Sequence, residues 1–309
     1  MIVVLAGGTG AAKLIRGLAR VTDPARLLVV GNTGDDLEWW GLHVSPDLDS
    51  VAYALAGLLD PVKGWGVRDD TFHCRDAMAR LGRETWFSLG DRDLATHLHR
   101  TALLRAGATL SAATAAVVAA LGVQARLVPM SDDRVRTRVR TPAGWLGFQE
   151  FFVRARAAPE VLEVVYEGAG GAAPAPGVLD AIRGAEAVVV GCSNPVTSIG
   201  PILAVPGIPE ALEAAAGPVA AVSPIVGGAP VSGPAGKLLQ ARGVPVSAES
   251  LAGLYAPWLD VLVLDETDRA LAPAVRALGA RPVAVPTLMT DPAAEDALAR
   301  AVLAAVGVS

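Results

Sequence analysis

Two cysteines, Cys74 and Cys192, in 309 residues are too few for a disulfide framework. They stand far apart and no Cys/His spacing suits a metal, so the chain fits a reducing compartment. Lysine is almost as scarce. Of 26 basic residues only Lys13, Lys63 and Lys237 are lysines. Positive charge is short overall: 31 acidic residues leave a net charge of −5 and a pI near 5.4. That gives no electrostatic footprint for DNA or RNA. Long apolar runs are missing too. Residues 112–123 are too few to span a bilayer, and 219–231 are broken by Pro224, Gly227, Gly228 and Pro230. No basic stretch precedes the apolar residues 2–5, so a secretory signal is not expected. These absences point to a cytoplasmic protein that engages neither nucleic acid nor membrane. Charged residues make up only 18% against 52% hydrophobic, which excludes a disordered chain.

What is present alternates. Short apolar runs at 2–5, 27–30, 187–191, 219–222, 261–264 and 283–285 read as buried strands. Helical patterns fall between them, at 11–19, 178–182, 210–216, 237–241, 249–254 and 269–278. The alternation predicts an α/β, Rossmann-like doubly wound and mainly parallel sheet. The middle differs. Residues 49–59, 75–81, 91–105 and 112–121 read as helices, the last with Ser111 as N-cap. Residues 134–140 turn through Pro142, Ala143 and Gly144 into 145–148 as a hairpin. One domain is expected, with a core of 1–49 and 166–309 and a mostly helical insertion of about 50–165 over one end of the sheet.

Six segments carry candidate chemistry. After the first strand, Gly7, Gly8, Thr9 and Gly10 lead into a helix bearing Lys13. Glycines there let backbone N–H groups approach an anion at a helix start. The dinucleotide fingerprint fails because Lys13 stands where its third Gly belongs, and a Walker loop fails because Ala12 precedes the Lys. After the second strand come Asn32, Thr33, Gly34, Asp35 and Asp36. Successive side chains point different ways, so at most one of the two acids faces a site. Next, Asp47 and Asp49 follow Pro46 at i and i+2. In an extended segment they share a side and could jointly hold magnesium, or one could accept a hydroxyl proton. Asp49 could equally be a plain helix cap.

The fourth segment runs from Ser88 through Asp91, Arg92 and Asp93 to His97 and His99. The two histidines, two apart on a helix, cannot share a face. The thiols lack a neighbouring activator and read as core. The fifth, at 191–201, carries Asn194, Thr197 and Ser198 in a polar loop at a strand's carboxyl end, where open α/β sheets bind ligands. The sixth, 223–237, is rich in Gly and Pro. It holds Gly227 and Ser232 and runs into Lys237, which could neutralise a phosphate.

In order, these segments resemble the CofD/FbiA family: GGTGAAK at 7–13, NTGDD at 32–36, SPDLDS at 45–50, LGDRDLATH at 89–97 and PMSDD at 129–133. SNPVTSIGPIL at 193–203, SPIVGGAPVSGPAGK at 223–237 and TLMTDP at 287–292 complete the set. The resemblance spans nearly the whole chain. It implies transfer of a 2-phospholactyl or phosphoenolpyruvyl group from a guanosine diphosphate adduct to the ribityl hydroxyl of the deazaflavin Fo. GMP leaves and a precursor of coenzyme F-420 forms. It further implies a Rossmann-like fold with an inserted helical region, Mg2+, and a homodimer. On this reading Asp35 and Asp47 hold the metal. Asp49 binds or deprotonates the acceptor, with Asp35 also catalytic. Ser88, Asp91 and Arg92 contact Fo, although some relatives carry Lys where this chain has Ser88. The glycines at 7–10, Lys13, Asn32, Thr33, Asn194, Thr197, Ser198, Gly227, Ser232 and Lys237 take the donor nucleotide.

Two rivals remain. A non-enzymatic sugar-nucleotide-binding regulator of the YvcK type is similar in fold, but that group departs at NTGDD and PDLD, where this chain keeps the transferase pattern. An NAD-dependent dehydrogenase is disfavoured by the missing third Gly and by Asn32.

Overall fold

Runs of Val, Leu and Ala make the central strands, which are buried on both faces, while the two edge strands are partly exposed. In the computed structural model, which describes residues 1–308, seven strands form one sheet. They are β1 (Ile2–Ala6), β2 (Leu27–Gly31), β3 (Arg126–Pro129), β4 (Ala187–Val190), β5 (Val219–Val222), β6 (Val261–Asp265) and β7 (Arg281–Val285). The spatial order is β7-β6-β5-β4-β1-β2-β3, and every neighbouring pair is parallel. Alternate residues feed two cores. Val3, Leu5, Leu28, Val30, Val188 and Val190 pack on one face. Ile2, Val4, Leu27, Val29, Ala187 and Val189 pack on the other. The chain winds outward from β1 to one edge, then returns to β4 on the opposite side of β1. This is the doubly wound, Rossmann-like arrangement, and the reversal leaves a crevice at the carboxyl ends of β1 and β4.

The span expected to be an insertion is not one block. Strand β3 lies within it and forms the sheet edge beside β2. Only Leu127 and Val128 are aliphatic between Arg126 and Pro129, too short a run to register as a strand in sequence. The expected hairpin forms between Arg136–Thr141 and Gly144–Gly147, and Glu163–Glu167 adds a third antiparallel strand.

Helices α1 (Gly8–Val21), α2 (Pro46–Leu55), α3 (His73–Arg80), α4 (Asp91–Arg105) and α5 (Leu110–Ala120) complete what positions the site. Helix α2 starts earlier than expected because Pro46, whose fixed φ and missing N–H suit a first helical turn, opens it. Asp47 and Asp49 are therefore helical, and two residues apart on a helix they diverge rather than share a side. Thr109, not Ser111, caps α5: its hydroxyl accepts from the Ala112 N–H at 3.1 Å. The Ser111 N–H instead donates to Asp132 at 2.6 Å.

Helix α1 packs along the C-terminal helix Pro292–Ala305. Arg16 and Arg20 both bond the buried Glu295, at 2.9 Å and 2.8 Å. Gly17 permits the close approach, since a Cβ there would sit 2.5 Å from the Glu295 carbonyl oxygen. Gly17→Ala is expected to destabilise the protein by about 1–3 kcal/mol through overpacking. A urea titration checks this: an unchanged midpoint would contradict the contact. Among the described residues no helix is long and apolar enough to cross a membrane.

Candidate functional site

The β1–α1 turn forms the floor of a cleft of about 750 Å³. Gly8 takes φ +71°, a conformation open to glycine. Its N–H donates to Asp47 Oδ1 at 2.7 Å, and the Gly7 N–H donates to Ser193 Oγ at 3.2 Å. A Cβ on Gly7 would lie 2.5 Å from Asp47 Oδ2 and 2.7 Å from Ser198 Cβ. This position must stay bare for the turn, α2 and the loop after β4 to meet. That loop is shaped by Asn194, whose side-chain oxygen accepts from the N–H groups of Val196 (2.9 Å) and Thr197 (3.3 Å). The Tyr166 hydroxyl donates to the Val196 carbonyl. The arrangement gathers Gly7, Gly8, Thr9, Gly10, Lys13, Asp35, Asp47, Asp49, Ser88, Asn194, Thr197, Ser198 and Ser232 around one cavity.

Charge in the cleft is predominantly negative. Asp35 and Asp47 are 5% and 6% exposed. Burial pushes the Asp35 carboxyl well above the ordinary carboxylate range, and the Asp47 charge pushes it further. Burial raises Asp47 to about 6, against the Asn32 amide and Gly8 N–H that favour its ionised form. Asp36 faces elsewhere. It meets His43 Nε2 at 2.9 Å and accepts from the Ser45 hydroxyl at 2.9 Å, so one of the adjacent acids lines the cleft, as expected. Lys13 and Lys63 are the only Lys or Arg side chains lining the cleft among the described residues. Lys63 is already paired with Asp60 at 3.0 Å. No cluster of three or more His, Cys, Asp or Glu suited to a metal occurs among them. Two carboxylates are nonetheless compatible with magnesium, which binds through one or two carboxylates together with phosphate oxygens and water. Asp35 Oδ1 is buried without a hydrogen-bond partner, so the donor set fits such an ion.

A second group lines the same cleft from α2 and α4. Asp49 is held by the guanidinium of Arg100, which is 1% exposed; Nη1 donates to Oδ2 at 3.0 Å and Nη2 to Oδ1. His97 lies between two acids, its Nδ1 3.6 Å from Asp49 and its Nε2 3.1 Å from Asp93. Tyr53 donates to Asp93 at 2.8 Å. Trp65, Trp86, Phe87, Phe148 and Phe152 add aromatic surface, with Phe148 and Phe152 stacked at 5.6 Å. Sequence reading missed Arg100, Tyr53, Lys63 and this aromatic wall. The one available signal was lysine scarcity, which singled out Lys63 as well as Lys13.

Several expected residues lie elsewhere. Asn32 and Thr33 are buried outside the cleft lining. Asn32 acts from beneath, donating to Asp47 Oδ2 at 2.8 Å and to the Thr197 carbonyl at 3.2 Å. The Gly227 N–H is taken by Asp268 at 3.0 Å. Lys237 is not a phosphate ligand here: its ammonium is occupied by the carbonyls of Ala157, Ala158 and Pro159 at 2.6–3.1 Å. Asp91 is spent on the start of α3, accepting from Thr71, His73 and Cys74 at 2.6–3.0 Å. Arg92 is exposed beside it, donating to the Arg68 carbonyl. Ser88 alone of that trio lines the cleft.

The profile of one family, 2-phospho-L-lactate transferase CofD, matches residues 2–301. A protein of Streptomyces griseus named phosphoenolpyruvate transferase is 48% identical over 308 residues, covering 98% of this chain and 97% of its own. A 2-phospho-L-lactate transferase of Methanosarcina acetivorans is 45% identical over 290 residues, 94% of each chain. Among solved structures, a UPF0052 family member from Bacillus halodurans superposes with a TM-score of 0.65 at 17% identity over 98% of both chains, a likeness of fold.

Proposed function

The chain belongs to the 2-phospho-L-lactate transferase CofD family, a family of transferases, and from that premise we propose that it moves a 2-phospholactyl or phosphoenolpyruvyl group from a guanosine diphosphate adduct to the ribityl hydroxyl of Fo. The observation that carries this reading is convergence. The glycine turn after β1, the Asn194–Ser198 loop after β4 and the two acids Asp35 and Asp47 meet in one cleft at the sheet's switch point.

With the Gly7 and Gly8 N–H groups taken by Ser193 and Asp47, a phosphate at the start of α1 would rest on the N–H groups that follow and on the positive end of the helix. A diphosphate beside two buried carboxylates would be repelled without a cation, and Asp35 and Asp47 are the residues that would hold Mg2+. Bound there, magnesium supplies charge neutralisation to the diphosphate oxygens. The chain's own residues orient the reactants. The Gly7–Gly10 turn and the loop at Asn194, Thr197 and Ser198 fix the donor. Tyr53, Asp49, Asp93 and the aromatic wall face the acceptor. The acceptor hydroxyl oxygen forms the new bond to phosphorus as the anhydride bond to GMP breaks, a transfer that depends on alignment and electrostatics more than on covalent help.

Mass spectrometry of products tests the reading. The protein is incubated with Fo, magnesium and, separately, each candidate donor. An Fo phosphodiester with matching GMP release is expected for one donor. Unmodified Fo with every donor, alongside retained guanosine diphosphate binding, would indicate a binding protein instead.

A further inference from the structure

The cleft offers two carboxylates to an acceptor hydroxyl on the α2–α4 side, and they differ in what they already hold. Both oxygens of Asp49 accept from Arg100. Arg100 is a fully buried cation, and no other acid is bonded to it among the described residues. A proton placed on Asp49 would strand that guanidinium without a counter-charge, and an unpaired buried charge is strongly unfavourable.

Asp93 has no such tie. Its Oδ1 accepts from the neutral hydroxyl of Tyr53 at 2.8 Å. His97 Nε2 stands 3.1 Å from the same oxygen, off the hydrogen-bond line. The Arg100 Nη1 also approaches His97 Nδ1 at 3.4 Å. A guanidinium can only donate, so that nitrogen is the acceptor and the ring's hydrogen sits on Nε2, facing Asp93. Asp93 Oδ2 takes no hydrogen bond from any described residue. It points toward Gly66 on the cleft wall, where an added Cβ would lie 3.9 Å away. A proton arriving on Oδ2 would leave neutral neighbours, Tyr53 and His97, and no stranded cation.

We propose that Asp93 is the catalytic residue that takes the acceptor hydroxyl's proton, while Asp49, both of whose oxygens are held by Arg100, is a positioning group. This rests on the transfer reading above. As the hydroxyl oxygen bonds to phosphorus, its proton passes to Asp93 Oδ2, the anhydride bond breaks, and the electron pair leaves with GMP. The proton then returns to solvent through the open cleft. Arg100 acts through Asp49 and His97 and touches no substrate.

Steady-state transfer to Fo by the full chain, paired with Fo binding followed by deazaflavin fluorescence, decides the matter. Asp93→Asn is expected to bind Fo within a few-fold of wild type while kcat falls about 10²–10⁴-fold, the usual contribution of a general base. Asp93→Glu, which restores a carboxylate, is expected to regain at least ten-fold over Asp93→Asn, and it keeps the test decisive if the amide variant folds poorly. Asp49→Asn is expected to weaken Fo binding as well as turnover. If wild type transfers but Asp93→Asn keeps more than a tenth of its kcat, the assignment of Asp93 fails and the transfer reading stands. If wild type does not transfer to Fo, the transfer reading fails and takes this assignment with it.

Discussion

Asp35→Asn should raise the melting temperature of the metal-free protein while cutting turnover by about 10²–10³-fold, the size of effect seen when one preorganised electrostatic group is removed. The two effects share a cause. Asp35 and Asp47 are both buried, which opposes the ionisation of each, and the Asp47 charge adds to the cost at Asp35. The sign follows from linkage. A carboxyl raised above its unfolded value binds its proton more tightly when folded, so its ionisation costs stability as pH rises from about 4 through the raised value. For Asp47, moved from 3.8 to about 6, that cost is roughly 3 kcal/mol at neutral pH. Asp35, raised by burial and by the Asp47 charge, carries a cost of the same kind, and Asp35→Asn removes it. A gain on the order of 1–3 kcal/mol, roughly 2–8 °C in melting temperature, is expected by scanning calorimetry at pH 7. The gain should shrink at pH 5, where the wild-type carboxyls hold their protons. A melting temperature that falls on substitution would show that Asp35 is placed for packing rather than for a bound cation.

Arg100→Met should carry the largest stability loss of any single substitution in the cleft, about 3–5 kcal/mol, because Asp49 is left as an uncompensated buried charge. The partner change separates pairing from burial. In Asp49→Asn/Arg100→Gln both charges are gone and the hydrogen-bonded shape is largely kept, so most of the loss should return. Urea unfolding of Asp49→Asn, Arg100→Gln and the double variant gives the coupling energy directly. Additive losses would show that Arg100 supports α4 by packing alone.

The contrast between these residues shows what a sequence can carry. Strands β1, β2, β4, β5 and β6 were legible because each is an uninterrupted apolar run closed by glycine or a polar turn. The glycine turn at Gly7 and the loop at Asn194 were legible because they sit at strand ends. Asp47 and Asp49 were found, but their geometry was mistaken because Pro46 opens a helix where an extended segment was expected. Arg100 was hidden. As one of three arginines on α4 it reads as a solvated side chain, and only the fold reveals that Asp49 of α2 lies against it. Lys237 erred in the opposite direction: a lysine after a glycine-rich turn suggested phosphate, yet three carbonyls of the 157–159 turn take its hydrogens. Local pattern registers backbone geometry well, whereas partners far apart in sequence emerge only with the fold.

The claim on which the rest depends is that Asp35 and Asp47 form the cation-dependent seat of a guanosine diphosphate group beside the Gly7–Gly10 turn. Titration calorimetry with GDP, in the presence and absence of magnesium, addresses it most directly. Wild type is expected to bind GDP at least ten-fold more tightly with the ion, a gain of about 1.4 kcal/mol or more, and Asp35→Asn is expected to show no such gain. Equal affinity with and without magnesium in wild type, or no GDP binding at all, would contradict the account.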